Sequence, residues 1–227
     1  MIRSGREVSR IEGFSDAVFG FALTLLVVSL EVPVDFAALK MTLRGFIPFA
    51  ATFALVCWIW YEHYTFFRKF DAEDGITILL NCVLLFLVVF FVYPLKFVFS
   101  NIIPSLLGRG PLRMSESDGR LMFLVYSAGF VAIMGVFALM YWNQYYKRSE
   151  LELSPEQQFD ARAGARMHLL SVAIGLLSLR LAQTVRIDLI WTAGVIYGLM
   201  GPLHTINGML SARARGKAFP SSTPARP

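Results

Sequence analysis

Six long stretches of this 227-residue chain are apolar all the way round, and no other feature constrains the fold as much. They cover residues 14–32, 45–60, 76–99, 121–142, 167–185 and 189–206. A helix crosses the hydrocarbon of a bilayer with roughly 20 apolar residues. Lipid offers no partner to a backbone N–H or C=O, so each run must close its hydrogen bonds internally and is expected to be helical. None of the runs alternates apolar and polar residues at period two, as the strands of a membrane barrel do. None carries the one-sided stripe of a soluble amphipathic helix. The expected fold class is all-α, a polytopic membrane protein with six transmembrane helices. Composition agrees: only 16% of residues are charged, against about 25% in soluble domains. Soluble, disordered and disulfide-stapled classes are excluded.

The chain carries a net charge of +5. In a membrane protein this excess reads as an orientation signal and not as a nucleic-acid surface, because Lys and Arg concentrate in cytoplasmic loops. The N-terminal arm, the second and fourth connections and the tail hold thirteen basic residues, including Arg10, Arg68, Lys69, Lys147, Arg148, Arg166 and Arg215. The opposite side holds six: Lys40, Arg44, Arg109, Arg113, Arg120 and Arg186. Lys96 and Arg180, near the outer ends of their spans, are expected to snorkel outward. Both termini are therefore expected in the cytoplasm, in a multi-pass protein of the cell membrane. The first run lacks a small-residue cleavage site and reads as a span and not as a signal peptide. The reading divides the chain into a six-helix domain over 1–207 and a basic, Ser/Pro/Gly-rich cytoplasmic tail over 208–227, expected to be disordered. Ser154-Pro155-Glu156-Gln157 reads as a capping box with proline in the first turn.

The most informative polarity lies at the start of the first run, where Ser15 and Asp16 enter an apolar helix. A carboxylate costs roughly 2.5–3.5 kcal/mol at mid-membrane on insertion scales, and less near an interface. Asp16 is therefore either an interfacial residue at a helix N-terminus or part of a protein-facing polar site. Depth brings in partners. With the termini inside, Trp60 and His63 near the end of the second helix and Asn81 one turn into the third share its level. One turn separates Trp60 from His63, so both lie on one face. The expected cluster is Arg10, Ser15, Asp16, Trp60, His63 and Asn81, satisfying groups that lipid cannot.

The pattern Arg10-x-x-x-Phe14-Ser15-Asp16 and the following Ala17-Val18-Phe19-Gly20-Phe21-Ala22-Leu23-Thr24-Leu25-Leu26 resemble the signature of the transmembrane protein 175 potassium channels. Trp60-x-x-His63, Leu80-Asn81 and Tyr93-Pro94 resemble it too, so that the likeness covers roughly residues 10–99. It implies a homotetramer with the first helices lining a central pore. The polar signature would hold each pore helix to its neighbours. The partners implied are potassium, other monovalent cations, the lipid bilayer and three further copies of the chain. The pore constriction implied is a ring of apolar side chains at Phe21, with the hydroxyl of Thr24 next along; helical spacing adds Leu25 and Val28 to the stripe. Family members usually carry Ile or Leu where this chain has Phe21. Four such rings would either close the pore more tightly or offer their faces to a cation. No Thr-Val-Gly-Tyr-Gly filter is present.

The runner-up reading is a proton- or cation-coupled secondary transporter using Asp16 and His63. His63, His168 and His204 are far apart in sequence, and neither paired cysteines nor a His-Glu-x-x-His pattern accompanies them. Neither a metal site nor a cofactor is expected. No phosphate loop or nucleophile elbow occurs, so the chain is not read as an enzyme. Gly194, Gly198 and Gly201 form a small-residue face expected to permit close packing.

Overall fold

In a computed structural model of the chain, residues 8–30, 32–108, 115–186 and 189–219 are described. All regular elements among them are helical: α1 (Arg10–Val28), α2 (Phe36–Arg44), α3 (Phe46–Lys69), α4 (Gly75–Leu106), α5 (Glu116–Tyr146), α6 (Pro155–Thr184), α7 (Thr192–Val195), a 3₁₀ turn (Ile196–Leu199) and α8 (Met200–Ala218). Helix starts follow local chemistry. Ser9 and Glu12 form a reciprocal capping box on α1, and Ser154 and Gln157 form the expected one on α6, with Pro155 in its first turn. Asp35, Asp74 and Ser115 cap α2, α4 and α5.

Among the described residues α1, α4, α5 and α6 are each long and apolar enough to cross a membrane; α2 and α3, bent by 45°, make a fifth together. The expected sixth span, 189–206, is divided among α7, the 3₁₀ turn and the start of α8, and no single helix there meets the same criteria. Pro202 has no N–H to give the carbonyl of Gly198, and glycines at 198 and 201 weaken the helix further. The segment still runs along α6. Ser178 Oγ donates to the Ala193 carbonyl at 2.7 Å, and Ser171 Oγ lies 2.9 Å from His204 Nε2.

One end of the bundle gathers the start of α1, the end of α3, the starts of α4 and α6 and the ends of α5 and α8. Ser15 meets Asn81 there, Lys147 meets Asp74, Gln157 Nε2 donates to the Lys69 carbonyl, and Arg215 meets Asp160. The first described helix therefore starts, and the last one ends, on the same side. Arg215 also changes the reading of the tail. Its Nη1 bonds both Asp160 oxygens at 3.1 Å and its Nη2 bonds Glu156 Oε2 at 2.9 Å. Arg166 bonds Asn207 and Ser211. These pairs hold α8 helical to Ala218, through much of the segment expected to be disordered from residue 208; residues 220–227 lie outside the described ones.

The core is aromatic. Phe66, Phe67, Phe70, Phe137 and Tyr141 are fully buried, with Phe66 and Phe70 meeting the Tyr141 ring edge-on. α5 and α6 approach closely because glycines admit rings. A Cβ on Gly164 would lie 2.4 Å from the Tyr141 ring, and one on Gly175 would lie 2.6 Å from Val131. The small-residue face expected in the sixth run is used only at Gly194, against Phe123; Gly198 and Gly201 face open space. Gly164→Val should cost about 1–3 kcal/mol through overpacking. The measurement is the midpoint of thermal unfolding in detergent, and an unchanged midpoint would mean that the Tyr141 ring can move aside.

Asp74 joins α4 to α5. Its carboxylate caps Thr77, whose hydroxyl donates to it at 2.5 Å, and it accepts from Asn143 and Lys147 at 3.1 Å each. Partial burial alone would raise its pKa. Hydrogen bonds from Thr77, Lys147 and Asn143 overcome that and hold it at about 2, below the ordinary 3.8. The same bond shifts Lys147 upward. A carboxyl with a depressed folded pKa contributes stability that is complete above its ordinary pKa and is lost as pH falls through the folded value. Unfolding measured against pH should therefore show a loss of stability between 3.8 and about 2, and Asp74→Asn should remove that part of the slope. An identical slope in the variant would assign it to other carboxyls.

Candidate functional site

The site begins with the two faces of α1. Ser15, Phe19, Ala22 and Leu26 are buried against α3 and α4. Ser15 Oγ donates to the Ile11 carbonyl at 2.8 Å, so it can only accept from the Asn81 amide, which approaches at 3.0 Å. This orients the amide: its nitrogen faces Ser15 and its oxygen faces His63, 2.9 Å from Nε2. An amide oxygen only accepts, so His63 donates from Nε2. Ser15, Asn81 and His63 form one directional chain linking α1, α4 and α3, all of it buried. Phe19 and Phe67 flank the His63 ring at 5.5 and 4.6 Å between centroids.

A second arm lies at the surface of the bundle. Trp60 Nε1 donates to Asp16 Oδ1 at 2.8 Å. The two arms are joined through consecutive residues, Ser15 and Asp16, and through Trp60 and His63 one turn apart on α3. Five of the six residues expected to cluster are thus brought together. Arg10 is not: it lies exposed at the first position of α1, outside this set of hydrogen bonds. The geometric reason is that Arg10 precedes by more than a turn the residue that meets α4, Ser15, whereas Glu12 is buried and caps Ser9. A polar cleft of about 190 Å³ opens there between Val8, Glu12, Asp16, His63, Tyr64 and Arg68. Ser9-x-x-Glu12 was the legible signal for that cap. Among the described residues no group of three or more His, Cys, Asp or Glu is placed to hold a metal ion.

The other face of α1 is left largely uncovered by the described residues of its own protomer. Phe21 is 57% exposed and Val28 is 70% exposed. Thr24 is exposed and Leu25 half-buried beside them. At 100° per residue, Phe21, Leu25 and Val28 fall within a narrow arc with Thr24 on its flank. The Thr24 hydroxyl donates to the Gly20 carbonyl at 2.9 Å, which leaves its lone pairs outward. Leu23 lies on the other side of the helix, in a groove of about 340 Å³ shared with Phe19, Val56, Cys57 and Trp60. Lys96, expected to snorkel outward, instead donates to Ser29 at the end of α1, at 2.9 Å to its carbonyl and 2.6 Å to its hydroxyl.

The buried arm and the surface arm should differ in weight. Asn81→Leu leaves the buried His63 Nε2 without its acceptor, at about 1–3 kcal/mol, and takes from Ser15 the bond it accepts while its bond to the Ile11 carbonyl remains. Trp60→Phe removes one exposed bond and should cost less. Thermal unfolding of the two variants side by side checks the order; an equal or reversed order would place the main tie at Asp16.

Residues 10–91 match the protein family described as endosomal/lysosomal potassium channel TMEM175. A potassium channel of Marivirga tractuosa is 37% identical over 223 residues, covering 92% of this chain and 90% of that one. A potassium channel of Chamaesiphon minutus is 28% identical over 194 residues, covering 79% and 89%. The fold is similar to a crystal structure of a variant of the potassium channel MtTMEM175 bound to a nanobody–MBP fusion protein. The TM-score is 0.80 at 36% identity, over 94% of this chain and 97% of that chain.

Proposed function

The chain belongs to the TMEM175 family, and from that premise we propose that it forms a potassium-permeable channel whose pore is constricted by an apolar ring on α1. Its relatives are named as channels and not as enzymes. Four copies surround the axis, each contributing the face of α1 that its own protomer leaves uncovered. The observation that carries this reading is the division of α1: polar ties to α3 and α4 on one side, and Phe21, Thr24 and Val28 exposed with Leu25 half-buried on the other. A helix that is apolar on a face its own fold does not cover needs a second surface, and a ring of such faces makes a narrow hydrophobic passage.

In that passage Phe21 sets the constriction. Apolar rings of small radius expel water, so a small outward shift of the helices changes conduction steeply. The Thr24 hydroxyl, its proton engaged by Gly20, offers only acceptor lone pairs to a passing cation and replaces part of its hydration. Ser15, Asp16, Trp60, His63 and Asn81 hold the pore helix from behind. The chain crosses the cell membrane six times, the last through the broken α7–α8 segment. The cytoplasmic end is the one that gathers Asp74, Lys147, Arg166 and Arg215, as the excess of basic residues there requires.

Recording from purified protein in planar bilayers under bi-ionic potassium/sodium gradients should give unitary currents that reverse toward the potassium potential. Phe21→Ala should change unitary conductance by about tenfold, the factor for a barrier change of about 1.4 kcal/mol. Leu23→Ala, on the opposite side, should leave it nearly unchanged. The reverse pattern would put the pore on the other face of α1. Saturable, gradient-coupled flux without unitary events would favour a carrier using Asp16 and His63.

A further inference from the structure

α1 is tied at both ends by the same neighbour. Near its start Asn81 of α4 donates to Ser15, and past its last residue Lys96 of α4 donates to Ser29. The two anchor points are 14 residues apart in α1 and 15 apart in α4, so the helices rise about 21 and 22 Å between them. The match lets two parallel helices be bonded at both levels without bending either. Between the anchors lie all four residues of the uncovered stripe.

The outer anchor is specific. Ser29 caps α1, its hydroxyl donates to the Leu26 carbonyl at 2.6 Å, and Lys96 reaches both that hydroxyl and the Ser29 carbonyl. A helix C-terminus presents unsatisfied carbonyls and a partial negative charge, which a cation in its last turn usually offsets. The last turn of α1 holds no basic residue. Lys96 supplies the charge from a second helix, and no carboxylate among the described residues pairs with it. The fold uses the device again at Arg120 of α5, which donates to the carbonyls of Ala182 and of Val185, at the end of α6.

We propose that Lys96 is a positioning residue for permeation. By clamping the C-terminus of α1 it sets the radial position of Leu25 and Val28, and it engages on Ser29 an ammonium that would otherwise stand free at the mouth of a cation pathway. This rests on α1 lining the pore, whereas the clamp itself does not, so the test reads the two separately.

In full-length protein reconstituted in lipid nanodiscs, Lys96→Met should speed amide exchange at Ser29 and Leu30 by about tenfold or more, with Ser15 to Ala22 unchanged. Lys96→Arg should restore slow exchange. In bilayers Lys96→Met should alter unitary conductance by about twofold or more, and Lys96→Arg should restore it. Should Lys96→Met not yield folded protein, Ser29→Ala, which removes the hydroxyl's bonds to Lys96 and to the Leu26 carbonyl but keeps the Lys96 bond to the Ser29 carbonyl, should show both effects in smaller measure. Unchanged exchange overturns the clamp whatever the protein conducts. Faster exchange with unaltered conductance, while Phe21→Ala still changes conductance, overturns the positioning role. If the parent protein gives no unitary currents, the channel reading fails and the positioning role with it, while the exchange data still decide the clamp.

Discussion

Every hydrogen-bonding group that enters the hydrocarbon must find its partner inside the protein, and the structure is organised around the places where that is done. The chain from the Ile11 carbonyl through Ser15 and Asn81 to His63 is the fullest case. Each link determines the next, because a hydroxyl whose proton is engaged can only accept, and an amide that donates on one side must accept on the other. Three helices are joined by groups with no alternative partner in lipid. Sliding any of them by one residue would orphan several groups at once, so the register of α1 against α3 and α4 is set with little slack.

The helix ends follow the same logic with charges. Asp74 caps α4 and draws Asn143 and Lys147 from α5, Arg120 covers the end of α6, Arg215 holds α8 to the start of α6, and Lys96 covers the end of α1. Basic residues that look in sequence like an orientation signal thus have second roles as ties between helices. The effect on α1 is asymmetric. Its buried face and both ends are held, while Phe21, Thr24 and Val28 stand exposed with Leu25 half-buried beside them. Rigidity behind an uncovered apolar stripe is what a proposed hydrophobic constriction needs, since its radius depends on where four backbones stand and not on the side chains alone.

Much of this was legible beforehand. Five residues of the polar cluster follow from helix direction and depth, because a helical turn and a membrane level are properties of the linear pattern. Arg10 stands outside those hydrogen bonds because it lies more than a turn before Ser15, where α1 meets α4. The tail failed for a different reason: a Ser/Pro/Gly-rich basic stretch reads as unsupported until Glu156, Asp160 and Arg215 are seen to meet. Gly198 and Gly201 have the spacing of a packing face, yet the rings that make use of glycines enter at Gly164, Gly175 and Gly129.

The linear sequence by itself determined the class, the helices, their caps and the face of α1 that carries the signature. Those depend on hydropathy, 3.6-residue periodicity and bonds spanning three or four residues. Only the tertiary structure decided which groups close the polar chain, that Lys96 turns inward to Ser29, and that the sixth run is broken. Each of those depends on which helices are neighbours, and partners 66 or 67 residues apart leave no trace in local pattern.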